Sequence, residues 1–247
     1  MLLSTENFKS KNKAEFALKI IVLDSEIVAF AINSISKEIE AFDKVGSIED
    51  LGFSQFTFSD VHIIIVDDQF TLVPESIFSE EKAASYLNFS TETLEDCAII
   101  ISKNQKFSLN TIWYLKNALK NSIIQYWPGS TFSHLIAIKL ENTNENEENN
   151  TLFVDSLKGS LSILLFTNQE LQIANQFETN GDEDALYYLL LTLEQSKVKV
   201  ENLQVILSST ASFKTKLDKY FNKITITSSS ICDLNITEED KVICSIV

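Results

Sequence analysis

Residues 152–195 read LFVDSLKGSLSILLFTNQELQIANQFETNGDEDALYYLLLTLEQ, and LQVILSSTAS follows at 203–212. Three short runs rich in Leu, Ile, Val and Phe, at 152–156, 161–167 and 171–177, are separated by Lys158-Gly159 and by Asn168-Gln169. Runs of that length between turn-forming pairs predict a meander of three strands. Gly181-Asp182-Glu183-Asp184 then marks a helix start, where negative charge is favoured by the helix dipole. Leu186, Leu189, Leu190 and Leu193 recur at helical spacing and give that helix one apolar face. Residues 203–207 predict a buried strand, 211–221 a second helix, and 224–227 and 242–247 terminal strands. The resulting plan is βββαβα.

Upstream of this block the decapeptide ENTNENEENN, 141–150, holds five Asn and four Glu and cannot bury anything. It is expected to be an acidic loop or linker between an N-terminal lobe, 1–140, and a C-terminal lobe, 151–247. The N-terminal lobe opens on the same theme. Apolar runs at 16–23, 27–32 and 39–45 predict a second meander, with Asp24-Ser25-Glu26 as its first turn. Ser47-Ile48-Glu49-Asp50 resembles a capped helix start. A buried strand at 61–66 turns at Asp67-Asp68 into 70–73, which Pro74 stops because proline cannot donate to a ladder. A helix from Ser79 to Asn88, strands at 97–102 and 111–115, and a helix at 116–127 follow; Leu115, Leu119, Ile123 and Tyr126 are helically spaced, and Pro128-Gly129 ends the helix. Two copies of one supersecondary plan predict an internally duplicated α/β protein with mixed sheets.

Composition limits what such a protein does. Of 247 residues 45% are hydrophobic, including 17 Phe, which is ample for packed cores. Thirty-five acids against 20 basic residues, all of them lysine, give a net charge of −15. Nucleic acid is not expected as a partner, because counterion release needs a basic footprint and the guanidinium reader of guanine is missing. The same charge opposes an anionic membrane surface, and no window approaches the ~18 apolar residues of a membrane span, so no membrane insertion is expected. Cys97, Cys232 and Cys244 form no CxxC pair and read as reduced, buried hydrophobes. With no apolar signal-like segment at the N-terminus, these features point to the cytoplasm.

The stretch from Leu152 onward resembles the second half of the actin-like ATPase (ribonuclease-H-like) fold, in the style of pilus-assembly and secretion proteins. The whole chain, including LVPESIF at 72–78, resembles an uncharacterised Bacteroidetes family, DUF3822-like, associated with that fold. The resemblance implies two phosphate turns and a glycine pair beside adenosine. Asp24 and Asp155 stand at the matching turn positions, and Ser208 and Ser209 where the glycine pair would lie. Each site departs from the family. Leu157 replaces the glycine two residues after Asp155, putting bulk where backbone must approach an anion. Glu26 follows Asp24 and repels a polyphosphate. Ser208-Ser209-Thr210 replaces the glycine pair. The expectation is therefore a degenerate nucleotide pocket and a non-catalytic scaffold or interaction protein, with no cofactor, an unidentified protein partner and a possible homodimer. The alternative is a weak ATPase in which Asp24 and Asp155 hold hydrated Mg beside ATP.

Other chemistry finds little support. The five glycines never fall into GxxxxGK or GxGxxG spacing, which excludes both phosphate-cradling loops. The absence of arginine removes any arginine finger from this chain. GxSxG, HExxH and Cys/His zinc spacing are missing. Asp67-Asp68 reads as a solvated turn. His62 and His134, the only histidines, have no motif around them. Trp113-Tyr114 and Tyr126-Trp127 read as core aromatics.

Overall fold

The computed structural model describes residues 2–143, 150–227 and 234–246. A short strand β1 (Leu3–Ser4) and a helix α1 (Glu6–Ser10), capped by Thr5, precede a meander of β2 (Phe16–Val22), β3 (Ile27–Asn33) and β4 (Ile39–Val45). The Leu23 N–H donates to the Glu26 carbonyl at 3.0 Å and closes the first hairpin around Asp24-Ser25. β5 (Asp60–Ile65) adds parallel to β2. Next, β6 (Phe70–Pro74), α2 (Ala83–Ser90), β7 (Cys97–Asn104) and β8 (Leu109–Lys116) build a separate antiparallel sheet of order β6-β8-β7. α3 (Asn117–Tyr126), β9 (Thr131–His134) and α4 (Leu135–Asn142) follow, with β9 parallel to β5.

The chain divides at Glu141/Asn142 into two compact units. The second contains β10 (Thr151–Leu157), β11 (Ser160–Thr167), β12 (Glu170–Glu178), α5 (Asp182–Ser196), β13 (Gln204–Ser208), α6 (Ala211–Leu217), β14 (Ile224–Ile226) and the terminal helix α7 (Glu238–Ser245). Its sheet runs β12-β11-β10-β13-β14, and the main sheet of the first unit runs β1-β4-β3-β2-β5-β9. Apart from β1 the two sheets share one topology: an antiparallel meander, then two parallel strands added beside its first member. The fold is thus an internally duplicated α/β architecture with mixed sheets flanked by helices. The β6–β8 sheet with α2 is the first unit's insertion between its two added strands.

Strand periodicity sets each core. In the second unit Leu152 and Val154, Leu161, Ile163 and Leu165, and Val205 and Leu207 share one sheet face and pack against Ala185, Leu189 and Leu193 of α5 and Phe213 and Leu217 of α6. In the first unit Phe8 of α1 meets Phe16 and Phe53 edge to face, and Phe53 meets Phe58 in the same way. Trp127 is buried, and its indole N–H donates to the Phe56 carbonyl at 3.1 Å. Trp113 is wholly buried in β8.

Several elements differ from their sequence reading. The run expected as a strand at 242–247 is helical through Ser245, because Thr237 and Asp240 form a capping box that starts α7 just upstream. Residues 131–134 form a strand that their four-residue length hid. The helix expected at 211–221 stops at Leu217. Ser47 starts only a 3-10 turn, and its hydroxyl donates to the Asp50 carboxylate at 3.0 Å instead of accepting from backbone. Glu141 and Asn142, read as loop, end α4, and residues 144–149 of the expected linker lie outside the described residues. Cys97 is half-buried and Cys244 buried, while Cys232 also lies outside them. No helix among the described residues is long and apolar enough to cross a membrane.

Candidate functional site at the strand ends of the second unit

In open α/β sheets the usual binding place is the crevice beyond the carboxyl ends of the strands, where the order reverses. In the second unit that place lies at the ends of β10 and β13. Asp155 and Ser208 are register partners there and are 5% and 3% exposed. They belong to a polar row crossing four strands on the face opposite the α5/α6 core. Gln176 of β12 pairs with Ser162 of β11, Ser162 with Asp155 of β10, and Asp155 with Ser208 of β13. The Ser162 hydroxyl donates to Gln176 Oε1 at 3.2 Å, and the Ser208 and Thr227 hydroxyls bond at 2.8 Å. Among the described residues the buried Gln176 Nε2 and Ser160 Oγ have no hydrogen-bond partner.

The four residues singled out from the sequence are placed unequally. Asp155 and Ser208 come together, as described. Ser209 follows β13, with its hydroxyl bonded to the Thr210 carbonyl at 3.1 Å. Asp24 lies in the first unit, exposed in the β2–β3 turn. Asp155 itself is a strand residue; the turn of its hairpin is Lys158-Gly159, where Gly159 takes φ +76°. Leu157 ends β10 and is buried on the same face as Asp155, so its bulk sits in the sheet and the turn keeps a glycine.

Carboxylates crowd the helix starts at this edge. α6 begins directly after β13, and its first N–H, that of Ala211, donates to Glu238 Oε1 of α7 at 2.7 Å. The same turn is capped by the Thr210 hydroxyl, which accepts from the Phe213 N–H at 3.5 Å. α7 closes its own start with the Thr237/Asp240 box. α5 starts with Asp182, Glu183 and Asp184 behind Gly181, whose φ is +131°. Lys216 of α6 reaches Glu183 at 2.5 Å and Asp182 at 3.3 Å. Its bond to Glu183 holds that carboxyl below the usual glutamate range, and the same bond raises the lysine. The Ala211 N–H and the Lys216 ammonium at this edge are thus met by acids of the chain itself.

The first unit holds a feature that the sequence did not mark. Lys19 of β2 and His62 of β5 are register partners, and Lys19 Nζ lies 3.1 Å from His62 Nδ1. A lysine ammonium only donates, so Nδ1 accepts and Nε2–H donates to the Ser133 hydroxyl at 2.8 Å. Burial, followed by the lysine charge, pushes His62 below the ordinary histidine range; burial also lowers Lys19, against the opposing pull of Asp60. Parallel register created this pair, and no local pattern announces register. His134 is wholly buried between Phe70 and Trp113, accepts from the Ile136 N–H at Nδ1 and reaches the Asp67 carbonyl with Nε2 at 3.1 Å. Asp67 also accepts from the Gln69 N–H at 3.0 Å, so it organises its turn. No group of three His, Cys, Asp or Glu side chains among the described residues is placed to hold a metal ion.

Comparison with known proteins agrees with this architecture. The family described as "Protein of unknown function (DUF3822)" matches residues 19–224. A Bacteroides thetaiotaomicron protein with actin-like ATPase fold and unknown function superposes with a TM-score of 0.72 at 17% identity, over 87% of this chain and 91% of that one. The PilM-PilN type IV pilus biogenesis complex gives 0.56 at 10% identity over 95% and 98%. The cytoplasmic domain of EpsL, an inner membrane component of the type II secretion system of Vibrio cholerae, gives 0.50 at 11% over 92% and 93%. No curated protein matches the chain. At these identities the likeness establishes the actin-like ATPase fold alone.

Proposed function

The chain belongs to the DUF3822 family of proteins of unknown function, and we propose that it is a non-catalytic member of the actin-like fold that works by binding protein. The observation that carries this reading is the Glu238 carboxylate on the Ala211 N–H, 2.7 Å away at the first helical residue after β13. Helix N-termini of this kind hold anionic groups when they are left open. Here the chain supplies its own anion, and Asp182, Glu183 and Asp184 at the neighbouring helix start add repulsion toward a polyphosphate. The net charge of −15 extends that repulsion beyond the site.

An acidic chain without a basic footprint suits a protein partner better than nucleic acid. PilM-PilN and EpsL, both described as parts of larger assemblies, support it by fold-level analogy only. On this reading the protein is cytoplasmic.

A crystal soaked with ATP and magnesium tests the proposal. Empty density at the ends of β10 and β13 is expected, with Glu238 still on Ala211. Adenine nucleotide bound there, with Asp155 directed to a hydrated metal, would instead establish the ATP/Mg reading.

A further inference from the structure

We propose that the free edge of β7 is a self-association surface, pairing antiparallel with β7 of a second copy to make one continuous sheet of order β6-β8-β7-β7-β8-β6. Among the described residues β7 pairs with β8 alone and ends its sheet. It runs eight residues, CAIIISKN, without a register shift. Long, flat, apolar edges are avoided in monomeric proteins because their unpaired N–H and C=O groups template another strand. The other edges described are protected. β1 has two residues, β14 three and β9 four; β6 ends in Pro74, and β12 carries Glu, Gln and Asn along a ladder broken by a register shift. β7 has no Pro and no register shift, and it keeps its polar residues, Ser102, Lys103 and Asn104, at one end, leaving the apolar run Cys97–Ile101 without a safeguard.

The Asn117 N–H donates to the Asp96 carbonyl at 3.0 Å, and this sets the alternation of the β7–β8 ladder. Cys97, Ile99, Ile101 and Lys103 therefore direct their N–H and C=O groups away from β8. Side chains of Cys97, Ile99 and Ile101 pack on the α2 side, each partly buried, and an adjoining strand would complete their cover.

Charge selects the occupant. Glu95 and Asp96 precede the apolar run and Lys103 ends it, with Glu95 and Lys103 exposed. A second copy in antiparallel orientation sets each Lys103 against the acidic end of the other strand, including the partner's Glu95. A parallel arrangement would oppose like charges. The strand is self-complementary under a two-fold axis, as an isologous dimer requires. Self-pairing gives the interaction reading above a partner and rests on it; mass and nucleotide binding are separate readouts, so either can fail alone.

Sedimentation equilibrium of the full chain, up to about 1 mM because a single-strand interface is small, reads the association. A monomer–dimer equilibrium is expected. Lys103→Glu and Glu95→Lys should each weaken it about tenfold, since two symmetry-related pairs turn from attraction to repulsion, and the double variant should restore it. Circular dichroism checks that each variant folds. Amide exchange at Ile99 and Ile101 should slow as concentration rises. A chain monomeric throughout, or a dimer indifferent to both charge reversals and to amide protection on β7, overturns the proposal.

Discussion

The Glu238 carboxylate accepts a hydrogen bond from the backbone N–H of Ala211 at 2.7 Å, tying the start of α7 to the start of α6. An exposed acid at a helix N-terminus stabilises by about 0.3–1 kcal/mol. Glu238→Ala is expected to lose that amount in urea denaturation, and Glu238→Gln, which keeps an acceptor without the charge, to lose less. Equal stability in all three proteins would mean that the contact has no electrostatic value.

Gly181 precedes α5 at φ +131° and ψ −173°, a backbone region that only glycine occupies readily. A Cβ there would meet nothing within 4 Å, so space is not the constraint. Gly181→Ala is expected to cost about 1–3 kcal/mol through backbone strain alone. A thermal midpoint unchanged from wild type would show that the α5 entry can relax.

His62 gives the first unit an acid-side weakness. Its folded pKa lies below the ordinary histidine value, so between those values the unfolded chain binds a proton that the folded chain refuses. Stability should therefore fall as pH drops from the ordinary histidine range toward the lower folded value. His62→Asn should flatten that part of the profile, measured as urea midpoint against pH. An identical slope in both proteins would assign the loss to other groups.

Much of this architecture was legible in the residues. The hairpin turns at Asp24-Ser25, Lys158-Gly159 and Asn168-Gln169 announced themselves between apolar runs, and Asn168 and Gln169 both adopt left-handed φ, 51° and 67°, as a tight hairpin requires. α5 was legible because acids at its start and leucines along one face point the same way. α7 was misread because Val242-Ile243-Cys244 is a short apolar run that fits either periodicity, and only the Thr237/Asp240 box upstream decides between them. At the candidate site the resemblance singled out Asp155 and Ser208 separately, and the structure adds their pairing as parallel neighbours. The Gln176–Ser162 extension of their row, the Lys19–His62 pair and the Glu238–Ala211 bond depend on register and tertiary approach, and no local spacing encodes those.

Thermal denaturation with and without millimolar ATP and magnesium tests the reading of an occupied, anion-repelling edge most directly. A ligand at a hundred times its dissociation constant stabilises the folded state by about 2.7 kcal/mol, a rise of several degrees for a chain of this size. The expected result is the same midpoint in both conditions. A magnesium-dependent rise of that size would contradict it and return the protein to the nucleotide binders of its fold.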